Sequence, residues 1–243
     1  MNSRSSPAKN PEHSSPLKSQ VDNFRSCFPD GTIFCPFDSS TKSDSVSDVW
    51  ITFPVAPFQI GFTYPYPVLT QGFFTLTDLC YIQAMPLVWR VLYTLEHIIE
   101  QEGIDIGMSE LSQHYNLVSH CSYRYLFKSK PQKPLPILKT TKNDTNWRNQ
   151  FFFVRRDSIP NGNQLPKKWN IDAMSLSHIQ KSPATEERVE AFWKLDPTIR
   201  TFLKSQRIQK KFHPPPTPKS FRIVIALTCV VHLVYTYLSI VIA

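Results

Sequence analysis

The chain has 243 residues and a formal net charge of +8, from 27 lysines and arginines against 19 aspartates and glutamates. Its hydrophobic share of 41% is too high for a wholly disordered chain, and 6 glycines are too few for a collagen-like or glycine-rich architecture. Five unclustered cysteines exclude a small disulfide-rich scaffold, and the length suits one domain with additional segments.

The first segment is dominated by serine, proline, lysine, asparagine and aspartate. Such a composition buries too little apolar surface to offset the entropy of ordering, so we predict a disordered arm over residues 1–48. One apolar cluster interrupts it, as either a docking motif or a partly collapsed linker, and the composition favours the linker. The cluster consists of Phe24, Phe28, Ile33, Phe34 and Phe37. We expect no cleavable signal peptide, because no apolar stretch follows Met1.

Residues 49–170 are predicted to form a small α+β domain, a mixture of helices and strands. Its first part, Trp50–Tyr66, contains several prolines and a glycine, which predict an irregular segment or a short edge strand. Thr77 and Asp78 are residue types that cap helices, so they predict a short helix over Leu79–Met85.

The clearest predicted helix is Pro86–Glu102, because proline suits the first helical position and Gly103 suits the position after the end. Apolar residues recur within it at helical spacing and predict one buried stripe. The stripe consists of Val88, Val91, Leu92, Leu95, Ile98 and Ile99. Ser109 is predicted to cap a further helix over Glu110–Leu117.

Two strands are predicted next. Tyr123, Tyr125 and Phe127 alternate with other residues, which is the period of a strand with one buried face. Residues 147–156 hold a continuous apolar run, Phe151–Val154, flanked by charges, and this pattern predicts a central strand.

Residues 171–211 are predicted to be a basic helical segment. One helix starts at Ser182 and Pro183, and a second, Thr198–Lys211, starts after Asp196. A basic amphipathic helix binds an anionic membrane surface or nucleic acid, although packing against its own domain is an equally weighted interpretation. The candidate contact residues for nucleic acid or anionic lipid are Arg200, Lys204, Arg207, Lys210 and Lys211.

The strongest physical signal is the run of 21 residues at 223–243, which contains no aspartate, glutamate, lysine or arginine. A helix of that length spans about 32 Å, which matches the hydrocarbon core of a bilayer. We predict a C-terminal transmembrane helix after a proline-rich spacer at 212–222. The seven basic residues after Asp196 predict a cytosolic bulk. A buried helix, a strand pair, or a tail from a degenerate reading frame remain alternatives.

The sequence contains none of the usual catalytic or metal-binding patterns. We find no GxxxxGK[ST] loop, no GxGxxG turn, no HExxH, no GxSxG and no CxxC pair. His120 and Cys121 are adjacent, so on a strand they point to opposite faces and do not form a nucleophile–base pair. Cys80 and Cys121 are predicted to be small buried hydrophobes. We therefore predict no catalytic residue, no cofactor, no metal and no small-molecule ligand.

Positive charge is concentrated in one stretch. Residues 128–222 hold 20 basic and 7 acidic residues, a net charge of +13, whereas residues 51–127 have a net charge of −4. Basic residues interleaved with tryptophan and phenylalanine are typical of proteins that neutralise phosphates and stack bases. The competing interpretation places Phe151–Val154 in the core, with the charges merely flanking it.

Several segments together resemble the plant putative gypsy-type transposon domain, a retrotransposon-associated family. They are ITFPVAPFQIGF at 51–62, AMPLVWRVLYTLEHIIEQEGIDIGMSEL at 84–111, CSYRYLFKSK at 121–130, NWRNQFFFVRRD at 146–157 and KKWN at 167–170. The segment at 186–205 also resembles the region that often comes after that domain. The resemblance implies descent from a Ty3/gypsy-like element, in a gag-like position, with no established reaction. Leu87-Val88 depart from the family pattern, which favours an asparagine before its Trp-Arg pair.

The positions that match the family are Trp89, Arg90, Trp147 and Phe151–Phe153, and we expect them to maintain the fold. The leading hypothesis is a non-enzymatic, retroelement-derived protein, tail-anchored in a membrane with a cytosolic N-terminus. The alternative is a soluble gag-like module of the nucleus or cytoplasm that binds nucleic acid nonspecifically or self-associates.

Overall fold

The computed structural model describes residues 21–35, 48–120, 123–130, 147, 150–173, 175–180 and 184–196. The predicted helix Thr198–Lys211, the spacer at 212–222 and the apolar run at 223–243 lie outside these residues. So does the larger part of the predicted arm. Among the helices that are described, none is long and apolar enough to cross a bilayer.

The described residues form a small mixed helix and strand domain, which confirms the predicted α+β class. Two antiparallel sheets of two strands each are joined by short helices and single turns of 3₁₀ helix. The helices are α1 (Ala56–Ile60), α2 (Val68–Thr77), α3 (Pro86–Glu102), α4 (Met108–His114) and α5 (Thr185–Lys194). The strands are β1 (Trp50–Pro54), β2 (Tyr115–His120), β3 (Arg124–Ser129) and β4 (Phe151–Arg155).

Strand β4 lies between two neighbours, as predicted for a central strand. Strand β1 pairs with one edge, so that Phe53 lies opposite Phe152. On the other edge, the Cys35 N–H donates to the Phe153 carbonyl at 3.0 Å, and the Arg155 N–H donates to the Ile33 carbonyl at 2.8 Å. The chain before β1 therefore extends this sheet by one short bridge.

Strands β2 and β3 form an antiparallel hairpin whose register pairs Leu117 with Phe127. Tyr125 and Phe127 are buried, as the alternation predicts, whereas Tyr123 precedes the strand and is 56% exposed. The Met85 N–H donates to the Tyr125 carbonyl at 2.9 Å, which fixes the free edge of β3 to the start of α3.

Helix α3 has the bounds that the sequence predicts. Gly103 ends it in the left-handed conformation, with φ +65°, and its N–H donates to the Ile99 carbonyl at 3.1 Å. Because an L side chain is disfavoured at that angle, glycine provides an unstrained end. The predicted stripe is buried except for half-buried Ile99, and Trp89 is fully buried beside it.

Two predicted helix boundaries are wrong. Thr77 and Asp78 do not start a helix over 79–85: Thr77 ends α2, and Asp78 caps that end with φ +51°. The Thr77 hydroxyl donates back to the Phe73 carbonyl at 2.8 Å, a bond made within a helix rather than at its start. The chain then forms a single 3₁₀ turn at Tyr81–Gln83.

Helix α4 also differs from its prediction, because it begins before Ser109 and ends at His114. The Gly107 N–H donates to the Glu110 carboxylate at 2.7 Å, so Glu110 caps the first turn instead of Ser109. The chain then turns directly into β2, which contains Leu117. The prediction of a helix through Leu117 is therefore wrong.

Residues 21–35 pack against the domain, which corrects the prediction of disorder for this part of the arm. Val21 and Phe28 are buried. The Tyr64 N–H donates to the Cys27 carbonyl at 2.7 Å. The aromatic contacts of Phe28 oppose the loss of entropy on ordering this segment. The rings within about 6 Å of it are those of Phe34, Phe53, Phe58, Tyr64 and Phe152.

The packing also extends beyond residue 170. Leu176 and Phe192 are buried. Helix α5 contains Val189, Phe192 and Trp193, and its first turn carries Glu186 and Glu187, which favour a helix N-terminus. The residues predicted to start it, Ser182 and Pro183, lie outside the described part of the chain.

Candidate functional site

One buried polar group in the domain is the guanidinium of Arg124. The residue is 6% exposed, and its Nη1 donates a hydrogen bond to the Ile82 carbonyl at 3.0 Å. Its Cζ lies 4.8 Å from the centre of the Trp147 ring and 5.3 Å from that of Trp169. A planar cation against two indole faces is a stable arrangement, because each ring face carries a negative electrostatic potential.

Arg124 lies on the side of the β2–β3 hairpin opposite Tyr125 and Phe127. The pairing sets Asn116 opposite Lys128, Val118 opposite Leu126, and His120 opposite Arg124. Since side chains alternate along a strand, these six share one face, which we call the outer hairpin face. His120 and Lys128 are exposed, and Val118 is half-buried. The opposite face is buried in the core through Tyr115, Leu117, Tyr125 and Phe127.

Hydrogen bonds from Gln83 and Tyr125 fix the backbone of two segments that carry exposed apolar side chains near the start of β3. The Gln83 Nε2 donates to the Tyr123 carbonyl at 2.9 Å and to the Asn170 carbonyl at 2.7 Å. The Tyr125 hydroxyl also donates to the Ile171 carbonyl at 2.7 Å. The backbone beside Trp169 is therefore fixed next to Tyr123. Tyr123 and Ile171 are 56% and 57% exposed.

The charge around this face is positive. Residues 115–130 contain three basic residues, Arg124, Lys128 and Lys130, and no aspartate or glutamate. Lys167 and Lys168 are exposed beside Trp169, although the Lys167 Nζ lies 3.5 Å from an Asp48 carboxylate oxygen. Asp172 is an exposed acidic residue close by in the chain. The arrangement combines an accessible ring, a lysine on the strand and little opposing charge.

A second cluster lies between α4 and α5. Arg188 Nη2 is 2.6 Å from Asp105 Oδ2, and Arg188 Nη1 is 3.5 Å from Oε1 of Glu110, which is 3% exposed. Apolar side chains line the cleft beneath, including Leu95 and Phe192. Its free space holds about one water molecule. The charged cluster therefore holds α5 against the domain. The cleft beneath it is too small for an organic ligand.

A third cluster surrounds Arg156, which is 2% exposed. Its guanidinium donates to the Gly162, Leu165 and Pro166 carbonyls at 2.8–3.0 Å, and burial lowers its pKa. The neighbouring Cys80 thiol lies 3.2 Å from the Lys168 carbonyl. Burial raises the pKa of Cys80 to about 12, which the charge of Arg156 partly opposes. The predicted burial of Cys80 is confirmed, and its thiol is a poor nucleophile at neutral pH.

Three tyrosines in the core have raised pKa values, so we expect the protein to lose stability in alkali. Burial raises the pKa of Tyr64 to about 12 and holds those of Tyr66 and Tyr81 well above their usual value. Because the folded protein resists ionisation, their contribution is complete below about pH 10 and is lost as the pH rises toward 12. We expect urea unfolding to show this decline, and Tyr64→Phe to reduce it. Tyr123→Phe, at an exposed position, is the control. An unchanged pH dependence in Tyr64→Phe would contradict the assignment.

The predicted contact residues Arg200, Lys204, Arg207, Lys210 and Lys211 lie outside the described residues, so the structure does not place them. Among the positions on which the resemblance to the transposon domain rests, Trp89, Trp147 and Phe151–Phe153 are buried, and Arg90 is half-buried. Arg124 and Lys128 were not predicted as site residues. Their alternation with Tyr125 and Phe127 was the available signal.

No protein-family model, curated protein or solved structure matches the chain. The outer hairpin face is therefore interpreted from its own residues, distances and charges. Within the described ranges, no three histidine, cysteine, aspartate or glutamate residues are grouped so as to hold a metal ion.

Proposed function

We propose that the protein is a non-enzymatic, retroelement-derived membrane protein whose folded domain lies in the cytosol. The observation that carries the proposal is the uncharged run of 21 residues at 223–243. It is long enough to cross the hydrocarbon core as a single helix. A helix satisfies its own backbone hydrogen bonds, which a lipid environment requires.

The charge next to this run supports the orientation. Residues 197–222 contain seven basic residues and no acidic residue. Lysine and arginine close to a membrane-spanning helix favour the cytosolic side. The domain would then be held near an anionic membrane surface, which attracts the same basic residues.

Hydrogen bonds from buried polar side chains to the backbone of loops support a binding or scaffolding role for the described domain. Gln83 donates to backbone carbonyls 40 and 87 residues away, and Arg156 donates to carbonyls of the loop that follows it. Such bonds fix loops in place, as a rigid head for contacts with a partner requires. The retroelement origin rests on the resemblance of the segments around Trp89 and Phe151–Phe153.

Membrane insertion predicts the result of alkaline carbonate extraction. The tagged full chain should remain in the membrane pellet, because about 20 apolar residues resist extraction. Deletion of 221–243 should release it, whereas replacing the five predicted contact lysines and arginines with glutamine should leave it in the pellet. Release of the full chain into the supernatant would exclude the anchor.

The orientation has its own test at the Asn143-Asp144-Thr145 sequence, a glycosylation acceptor. A cytosolic domain leaves Asn143 unmodified, so glycosidase should not change the mass of the protein. A shift in mass would show that the domain has the opposite orientation, and it would leave the prediction of membrane insertion unchanged.

A soluble gag-like module that binds nucleic acid or self-associates is the second candidate. The observation that favours it is the net charge of +13 over residues 128–222. A fluorescent fusion at the N-terminus separates the two, because a membrane signal supports the first candidate and a nuclear or diffuse signal the second.

A further inference from the structure

We propose that helix α5 is a releasable strap, which detaches from the domain as a unit while the rest of the fold stays intact. The ion pairs of Arg188 set the balance between the attached and the released helix. This goes beyond membrane attachment, and the release itself does not depend on an anchor. Local opening of this kind takes place where an element has few buried side chains and is held by bonds that solvent reaches.

Few side chains of α5 are buried. Thr185 and Phe192 are its buried residues, whereas nine residues of α3 are buried. A helix of 10 residues is only marginally stable in water by itself, so α5 depends on its attachment to the domain. Its release therefore exposes much less apolar surface than the opening of α3 would, and the released segment loses its helical structure.

The space beneath α5 is incompletely filled. Apolar side chains that include Leu95, Ile106 and Phe192 line a cleft between α5 and the rest of the domain, with room for about one water molecule. Tyr115 lines the same cleft, and its hydroxyl is buried with no hydrogen-bond partner among the described residues. A buried hydroxyl without a partner lowers the stability of the closed state. Both features make the attachment of α5 weaker than complete packing would.

Arg188 makes the ionic part of this attachment. It lies 2.6 Å from an Asp105 carboxylate oxygen and 3.5 Å from Glu110 Oε1. The side chains of Arg188 and Asp105 are 36% and 76% exposed, so salt in solution screens this pair. The Glu110 side chain is 3% exposed, and without Arg188 it would lose the charge that compensates its burial. Both effects favour release of the helix.

Release changes the length of the chain between the domain and the basic segment that comes after α5. The 10 residues of α5 span about 15 Å as a helix and about 33–36 Å when extended. The connection therefore becomes about 20 Å longer when α5 unfolds. In a tail-anchored chain, this would let the domain move further from the membrane, and only this consequence rests on the proposed function.

Hydrogen exchange measured by mass spectrometry tests the proposal on the full chain in neutral detergent micelles. Peptides from α5 and from α3 report on the two parts of the fold separately. In the parent protein, the amides of α5 should exchange at least about tenfold faster than those of α3, because α5 opens without the core. Raising the salt from about 0.05 M to about 0.5 M should speed the exchange of α5 about threefold and leave α3 unchanged.

Arg188→Gln should speed the exchange of α5 about tenfold, with α3 unchanged and the salt effect lost. Adding Glu110→Gln to this variant should reverse part of the increase, because no buried carboxylate then remains without a compensating charge. The amide oxygen of a glutamine at this position can still accept the Gly107 N–H, so α4 keeps its cap.

Lys194→Gln is the matched control, because it removes the same charge from the same helix. Lys194 Nζ lies 3.1 Å from Glu190 Oε1 within α5, and the two side chains are 74% and 70% exposed. Loss of such an exposed pair should change the exchange of α5 by less than about twofold. Circular dichroism and the thermal midpoint verify that each variant is folded.

Three outcomes would overturn the proposal. The first is that α5 and α3 exchange at the same rate in the parent protein, since α5 would then open only when the whole domain unfolds. The second is that Arg188→Gln and Lys194→Gln have equal effects on α5. The third is that Arg188→Gln speeds the exchange of α3 as much as that of α5, because α5 would then be an inseparable part of the core.

Discussion

Phe152→Ala is expected to lower the free energy of unfolding by about 3–5 kcal/mol. Phe152 is fully buried, and five other phenylalanine rings lie 5.5–6.0 Å from its centre. Removal of the ring leaves a cavity at the point where β1, α1 and residues 21–35 meet. Urea unfolding monitored by circular dichroism measures the loss, and a change below about 1 kcal/mol would contradict this packing.

Two controls separate the cavity from other effects. Phe152→Leu keeps most of the volume, so it should cost less than Phe152→Ala. Val68→Ala, at an exposed position, should change stability by less than about 0.5 kcal/mol.

A double-mutant cycle tests whether residues 21–35 belong to the same core. The Phe28 and Phe152 rings are 5.8 Å apart and nearly perpendicular. Their coupling energy should be about 0.5–1.5 kcal/mol. Additive effects would mean that the first segment folds independently of β4.

The elements predicted well are those whose signals are local. Helix α3 has a proline at its start, a glycine at its end and an apolar stripe between them. Strand β4 has an uninterrupted apolar run, and that run alone indicated burial on both faces. No distant residue is needed to identify either element.

The elements predicted badly depend on partners far along the chain. Phe28 lies in a polar segment. The composition of that segment does not indicate a contact with Phe152, which is more than 120 positions away. Helix α2 was not predicted, because Pro65 and Pro67 indicate an irregular segment just before it. In the structure Pro67 precedes the first turn, where a proline is tolerated.

The candidate site shows the same division. The alternation in β3 identified the face that packs in the core, so the residues of the opposite face followed in principle. Its extent did not, because β2 was predicted as part of a helix ending at Leu117. The position of the Asn170 backbone near that of Tyr123 depends on Gln83, whose side-chain amide donates hydrogen bonds to carbonyls 40 and 87 residues further along the chain. No pattern within either segment indicates that connection.

The second large effect is expected at Gly162, where alanine should cost about 2–4 kcal/mol. A Cβ at this position would lie 2.1 Å from the Arg156 carbonyl oxygen and 2.9 Å from its carbonyl carbon. Both are backbone atoms, so the loop itself must open. The Arg156 guanidinium donates to the Gly162 carbonyl at 3.0 Å and to two further carbonyls of this loop, and an opened loop loses these bonds.

The matched control is Gly72→Ala, because Gly72 lies inside α2 and its nearest neighbouring atom would be 4.0 Å from the new Cβ. Alanine there should stabilise the protein by about 0.5–1 kcal/mol, since it favours a helix more than glycine does. In Gly162→Ala, the loop that covers Cys80 through the Lys168 carbonyl would also loosen. Its thiol should then react faster with a maleimide than in the parent protein. If Gly162→Ala matches the parent in both stability and thiol reactivity, the loop is not held against Arg156.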